Sequence, residues 1–276
     1  MKWMSAGRTN LGDPFDDAYN ATRVEEIMSP EYAADVRWSI SDTTTFPTDY
    51  YRPSFEPNEF HGTSHISALD KDGNAIGLTT TINLAWGNLM HDNKTGIVLN
   101  SQMDDFSIPG VPNSYGLRPS VYNFIKPYKR PLSSIVPTIA IEQDGQVGMI
   151  VGASGGSRIL TGVLEAIVKK YRWGYDALDV IRSPRVHHQL LPDEVWVENG
   201  ESMGIVRGLR RRGHVVKMVT TTGSAVGTIA RSGSGIISAV ADWWRKGAVS
   251  PRALLISIQS PQEGDWDSLR CVHADC

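Results

Sequence analysis

Two stretches carry one pattern, and together they restrict the fold more than anything else in the sequence. Residues 63–83, TSHISALDKDGNAIGLTTTIN, are alternating runs on either side of Asp72-Gly73-Asn74. Residues 137–156, PTIAIEQDGQVGMIVGASGG, repeat the design around Asp144-Gly145 and leave through glycines. Alternation marks half-buried strands, and Asp-Gly or Gly-Asn at the centre is hairpin turn chemistry. Directly after the second hairpin, SRILTGVLEAIVKKYRW has apolar residues at 159, 160, 163, 164, 167 and 168, one face of a helix. DALDVIRSPR predicts a second helix that stops before Pro184. DEVWVE and HVVKMVTT read as strands with the helix ESMGIVRGLRRRG between them, and two further strands flank Ser232–Gly235. Hairpins come first and a helix pair follows, without strand–helix alternation throughout. The fold class expected is therefore α+β: antiparallel sheet with helices packed outside it.

The first 62 residues are less regular. ATRVEEIMSPEYAADVRWSI (21–40) fits a helix interrupted at Pro30, with Val24, Ile27 and Met28 on one face. TTTFPTDYYRPSFEPNEFHG (43–62) holds three prolines and five aromatics with no helical or strand period, so it is expected to be a long exposed loop open to cutting. Net charge is −3 and the cations are scattered, which gives no footprint for nucleic acid or an anionic membrane surface. Arg210-Arg211-Arg212 before Gly213 reads as a solvated helix end. No run of about 18 apolar residues occurs, and the start has no signal-peptide core. Cys271 and Cys276 both lie in the last six residues, which is a short bridge, a metal-binding scrap with His273 or a tail without a role, and not a disulfide framework. Asn20-Ala21-Thr22 and Asn93-Lys94-Thr95 are glycosylation tripeptides that hint at a secretory ancestry.

Several short stretches bear on chemistry. Thr63, at the mouth of a strand, reads as a β-former, a turn hydroxyl or a nucleophile. NSQMDDFS (100–107) gathers Gln102, Asp104 and Asp105 in a polar knot, which by itself suits a turn of capping residues. KRPLSSIVPT (129–138) offers the paired hydroxyls of Ser133 and Ser134 in a loop stiffened by prolines. GASGGS (152–157) ends a strand and opens a helix, where backbone N–H groups cradle anions. It lacks the Gly-Lys-Ser/Thr of a phosphate loop and the G-x-G-x-x-G of a dinucleotide site, leaving an oxyanion site or a plain tight turn. His187 and His188 are adjacent, so in a strand they point to opposite faces, and no carboxylate is spaced to complete a ligand set. No metal and no cofactor are expected.

Taken in order, Gly62-Thr63-Ser64-His65, TTTIN (79–83), NSQMDDFSIPG (100–110), RPLSSIVPT (130–138), VGASGGSRI (151–159) and SPRVHHQLLPDEVWVE (183–198) resemble the γ-glutamyltranspeptidase family. The similarity runs from GRTNLGDP to near residue 230. The resemblance implies the αββα four-layer sandwich of N-terminal-nucleophile hydrolases, incomplete in this chain. It implies self-cleavage between Gly62 and Thr63, so that 1–62 is the tail of the large subunit with its pre-cleavage loop. Residues 63–276 then form the small catalytic subunit, divergent after about 233. Thr63 becomes the nucleophile, with its freed amino group as base. Thr81 orients it, and Gly155 and Gly156 form the oxyanion hole. Asn83, Gln102 and Asp105 cradle the substrate α-amino group, and Ser133 and Ser134 the α-carboxylate. Position 102 is Gln, as in bacterial members, where animal ones carry Glu. The implied partners are glutathione and other γ-glutamyl compounds, amino acid or peptide acceptors, water, and a large-subunit portion that the chain lacks. That portion carries the family's arginine for the α-carboxylate. The compartment implied for the full-length family is extracellular, membrane-associated in the secretory pathway or vacuolar. Two rivals remain: a truncated light-chain-like fragment without activity that binds or assembles, and a cephalosporin-acylase-like member.

Overall fold

The computed structural model describes residues 1–55, 63–110, 118–242, 245, 255–258 and 270–272. In chain order the elements begin with helices α1 (Lys2–Arg8), α2 (Ala21–Ile27) and α3 (Pro30–Ser39). Strands β1 (Thr63–Leu69), β2 (Ala75–Thr81), β3 (Thr138–Ile141) and β4 (Val147–Ser154) follow, then helices α4 (Arg158–Trp173) and α5 (Ala177–Arg182). Next come β5 (Val186–His187), β6 (Val195–Glu198), helix α6 (Met203–Arg211) and β7 (Val216–Val219). The last are β8 (Ala225–Arg231), β9 (Ile237–Ala241), β10 (Leu255–Ile258) and β11 (Arg270–Val272).

The chain divides into two compact units. The first takes Met1–Phe60, Ile82–Ser133 and Val186–Thr220, the second His61–Thr81, Ser134–Arg185 and Thr221–Cys276. These units are interleaved along the sequence, unlike the expected division at residue 62, which concerns cleavage products rather than compaction.

In the second unit an antiparallel sheet runs in the order β11-β10-β9-β8-β4-β3. Strand β4 is covered on both faces. Met149, Val151 and Ala153 are buried in one cluster with Ile159, Val163 and Ala166 of α4 and Val180 and Ile181 of α5. The alternate residues Ile150 and Gly152 face the β1–β2 hairpin, where Gly77 and His65 approach them. Hairpin, sheet and helices thus make three layers within this unit. The hairpin forms as its turn chemistry predicts: Asp70 Oδ1 accepts from the amides of Asp72 and Asn74, and Gly73 takes a φ of +85°. Helix α4 ends at Gly174, left-handed at φ +72°, with Lys170 and Arg172 in its last turn. Helix α5 starts on the Asp176 side chain and stops at Ser183, extended ahead of Pro184.

In the first unit Pro30 separates α2 from α3 as expected, with Ser29 capping α3 by accepting from the Tyr32 amide. Val24 is buried, but Met28 is exposed, so the apolar face expected there is narrower. The segment after residue 43 also departs from an exposed loop. Thr48–Tyr51 form a 3₁₀ turn, Phe46 stacks on Tyr50 at 4.0 Å, and Tyr51 is buried with Ala6, Leu190 and Leu191. Aromatic rings spaced without a period still found a cluster, because α1 and the Leu190-Leu191 turn supply the other wall. Residues 56–62, including Gly62, lie outside the described residues.

A second departure is the sheet β5-β6-β7. Strands β6 and β7 are parallel and α6 is their crossover, whereas the other strand pairs among the described residues are antiparallel. Arg210 and Arg211 are exposed at the end of α6, as a solvated helix terminus requires. Arg212 donates to the carbonyls of Asp42 and Gly208. No helix among the described residues is long and apolar enough to cross a membrane.

Candidate functional site

Thr63 opens β1 and is buried. Its register partner in β2 is Thr81, so the two residues face each other directly across the hairpin. Directly opposed residues carry their Cβ atoms about 5 Å apart, within reach of a hydroxyl–hydroxyl contact. In a strand, residues two apart share a face. Thr63 therefore shares its face with His65 and Ser67, opposite Thr79 and Gly77 of β2.

His65 explains how that face is seated. Its Nδ1 lies 2.8 Å from Thr79 Oγ1 and its Nε2 2.9 Å from Ser67 Oγ, so both ring nitrogens are engaged. Below the ring, Gly152 of β4 and Gly227 of β8 are register partners. A Cβ on Gly152 would sit 2.2 Å from His65 Cε1, and one on Gly227 3.8 Å from His65 Cδ2. The glycine pair is a flat seat that lets the imidazole, and with it β1, approach the sheet. Burial holds the imidazole below its ordinary pKa.

Gly155 and Gly156 follow β4 at the N-terminus of α4, both buried, at φ +126° and +65°. A side chain at Gly155 would meet the Gly223 carbonyl oxygen at 2.3 Å. The 221–224 turn thus backs the glycine turn, and it is held from behind by charge. Arg185 donates to the Ser224 carbonyl and to Asp242, and Arg245 donates to Asp242 and to the carbonyls of Ile181 and Ser183. All three side chains are buried, which is affordable only because each charge is paired and bonded. Ser134 is buried in this unit as well. A cleft of about 760 Å³ runs beside β1, lined by His65, Ser67, Leu69, Thr228 and Ile237, among others. None of the nominated catalytic residues lines it.

The first unit gathers the other candidates. Asn83 is buried at φ +69° and donates to the Ser101 carbonyl at 3.1 Å. Gln102–Asp105 form a 3₁₀ turn in which the Gln102 amide donates to Asp105 Oδ2. Asp105 is buried, and burial pushes its carboxyl up from 3.8 to about 6 against the opposing pull of Gln102 and of Arg8. Arg8 is itself buried, which brings its guanidinium down to about 10, with Asp105 acting in the opposite direction. Ser133 is exposed at the end of a loop tied to the N-terminal segment, where Asp13 accepts from the Arg130 amide at 2.7 Å and from its guanidinium at 2.6 Å. Asn123 is fully buried and reaches both the Gln102–Asp105 turn and this loop.

The sequence alone assigns no role to Arg8, Asp13, His65 or Asn123. A Cβ on Gly12 would meet the Tyr122 carbonyl oxygen at 2.8 Å, a close approach that only the structure reveals. Only His187 lies in a strand, and both histidines are buried. His187 bonds Gln189, and His188 accepts from the Leu190 amide and lies 3.3 Å from Asp193. Among the described residues no three His, Cys, Asp or Glu side chains gather as for a metal ion. Cys271 belongs to β11 and Cys276 lies outside the described residues.

A hairpin laid on one face of an antiparallel sheet, with helices packed on the other, makes this a mixed α and β fold. The sequence is more specific. The profile of the gamma-glutamyltranspeptidase family matches residues 1–252, and the chain belongs to that family. It is 49% identical over 221 residues to glutathione hydrolase proenzyme 1 of Schizosaccharomyces pombe, covering 79% of this chain and 34% of that protein. It is 43% identical over 194 residues to putative inactive glutathione hydrolase 4 of Arabidopsis thaliana, covering 69% of this chain and all of that one. The gamma-glutamyltranspeptidase of Helicobacter pylori superposes with a TM-score of 0.58 at 36% identity, over 64% of this chain and 97% of the solved one. The chain spans about a third of the length of the first curated relatives it matches.

Proposed function

We propose that this chain carries the nucleophile and most of the substrate-recognition residues of an enzyme that hydrolyses or transfers γ-glutamyl groups from glutathione and related amides. The observation that carries the reading is Thr63: a buried threonine at the first position of β1, opposite Thr81, directly after Gly62. Cleavage of the Gly62–Thr63 bond frees an α-amino group next to the hydroxyl. That amine takes the Thr63 proton as Oγ1 bonds to the γ-carbonyl carbon. The amides of Gly155 and Gly156 stabilise the oxyanion, a contribution of about 3 kcal/mol per donor in comparable sites. The amine then returns the proton to the leaving nitrogen as the C–N bond breaks. Water, or the amine of an amino acid or peptide, attacks the resulting γ-glutamyl ester and restores Thr63.

Recognition falls to Asn83, Gln102 and Asp105 for the α-amino group and to Ser133 and Ser134 for the α-carboxylate. Arg8 favours the ionised form of Asp105, the form an ammonium requires. This set also argues against a cephalosporin-acylase-like specificity, which has no use for a zwitterion cradle.

The four-layer sandwich belongs to the same proposal. Ile66, Ile76 and Leu78, on the hairpin face turned away from the sheet, are 55–61% exposed. An apolar sheet face of this kind calls for cover. Strand β2 is the one neighbour of β1 among the described residues, and the cleft lies alongside. Further strands and a fourth, helical layer would come from the part of the family's length that this chain does not span. That fraction also favours the second reading, a light-chain-like fragment that binds or assembles without turnover. The two readings separate on γ-glutamyl-p-nitroanilide, assayed with the chain alone and with a separately supplied large-subunit segment. Turnover that needs the segment and vanishes in Thr63→Ala supports the enzyme. No turnover in either mixture supports the inactive fragment.

A further inference from the structure

We propose that Asn123 is the positioning residue that fixes the spacing between Asp105 and Ser133, and so tunes the pocket to the amino-acid head of the γ-glutamyl group. This rests on the function proposed above. Asn123 ends a short 3₁₀ turn, Val121–Asn123, and is 0% exposed. Its Nδ2 donates to the Asp105 carbonyl at 2.8 Å and to Ser107 Oγ at 3.3 Å. Its Oδ1 accepts from the Leu132 amide, one residue before Ser133, at 2.8 Å. The backbone joins in, with the Asn123 carbonyl accepting from the Ser107 amide at 2.9 Å. One planar amide therefore ties the stretch that holds Asp105 to the stretch that holds Ser133.

The residue type follows from the geometry. The bridge needs a donor on one side and an acceptor on the other, a fixed distance apart, which an ionised Asp, a Leu or a Ser does not provide. Asp13, bonded to the amide and guanidinium of Arg130, pins the same loop two residues earlier, but it does not reach Asp105. Both Ser107 and Asn123 are buried, so each hydrogen bond lost here leaves a polar atom without solvent to replace it.

The test uses the natural full-length protein that carries these residues, with γ-glutamyl-p-nitroanilide as probe. In Asn123→Ala, KM should rise about tenfold or more while kcat and the rate of cleavage at Gly62–Thr63 stay within about threefold. Asn123→Asp keeps an acceptor for Leu132 and should fall between the two. Hydrogen exchange is the second readout: residues 101–107 and 130–134 should lose protection together, by about tenfold, with 149–153 and 159–169 unchanged. An unchanged KM, an equal loss of KM, kcat and cleavage, or faster exchange throughout the protein overturns the proposal. If the wild-type protein shows no turnover, or Thr63→Ala retains it, the proposed function falls and takes the substrate role of Asn123 with it. The exchange experiment then still decides whether Asn123 couples the two stretches.

Discussion

The second unit positions Thr63, Thr81, Gly155 and Gly156 by strand register and glycine-close packing. The first unit positions Asn83, Gln102, Asp105 and Ser133 by side-chain hydrogen bonds between irregular loops. In the second unit, each residue's place follows from the two-residue period and the pairing Thr63↔Thr81 or Gly152↔Gly227. In the first, Asp105 is located by Asn123, 18 residues away, and the loop before Ser133 by Asp13, 117 residues from Arg130. The contrast teaches what each kind of construction tolerates. A sheet-held residue fails when backbone approach is blocked, whereas a loop-held residue fails when a polar partner is removed.

The largest departure should come from the first unit. On the proposed role of Asp105, Asp105→Ala would leave the substrate ammonium without its carboxylate, which should cost about 3–5 kcal/mol, a KM increase on the order of a hundredfold or more. Cleavage at Thr63 should be spared. Equal loss of cleavage and turnover would instead make Asp105 a folding residue and erase the contrast. The same carboxyl gives a pH signature. Its pKa lies near 6, above the ordinary 3.8, so the folded protein holds a proton that the unfolded chain releases. Its contribution to stability is thus present below pH 4 and is lost as pH rises through 6. Substrate binding runs the other way, because only the ionised form pairs with an ammonium. kcat/KM should climb through an apparent pKa near 6, and the limb should disappear in Asp105→Asn.

Gly155→Ala attacks the second unit by blocking approach. Its Cβ would meet the Gly223 oxygen, and the residue would keep a φ of +126°. Strain of about 1–3 kcal/mol is expected, with turnover down on the order of a hundredfold if an oxyanion donor is displaced. Activity within a few-fold of wild type would remove Gly155 from the oxyanion hole.

Gly152→Ala drives a methyl group into the His65 ring and should destabilise by about 1–3 kcal/mol in urea unfolding. The double variant Gly152→Ala/His65→Ala should be more stable than the two single losses added together, because the clash has gone. Simple additivity would show that His65 does not rest on the glycine pair. The smallest effect is expected on the surface, where Arg182 pairs with Asp179 at 2.6 Å but is 61% exposed. Arg182→Ala should change stability by no more than about 0.5 kcal/mol.

Legibility in the sequence follows the same division. Alternation and Asp-Gly turns are local signals, so both hairpins, helix α4 and the stop before Pro184 were readable. The strands and helix of β6–α6–β7 are also legible, but their parallel pairing is not, because one crossover between four-residue strands carries no local mark of strand direction. The motif resemblance named Asp105 and Ser133, but nothing local linked them to Asn123 or Arg8, whose roles exist only once distant loops meet. Nothing local marks Gly152 and Gly227 as a seat for His65, because only the register brings the two glycines together beneath the ring. The aromatics of 46–51 lack a period because they pack as a cluster rather than on a strand or helix face.

The central claim is that Thr63 becomes an N-terminal nucleophile. Intact-mass measurement of the mature full-length protein, with sequencing of any new N-terminus, tests it most directly. The account predicts two chains, the smaller beginning at Thr63, and a single uncut chain for Thr63→Ala. One uncut wild-type chain, or a new N-terminus at any other residue, would contradict it.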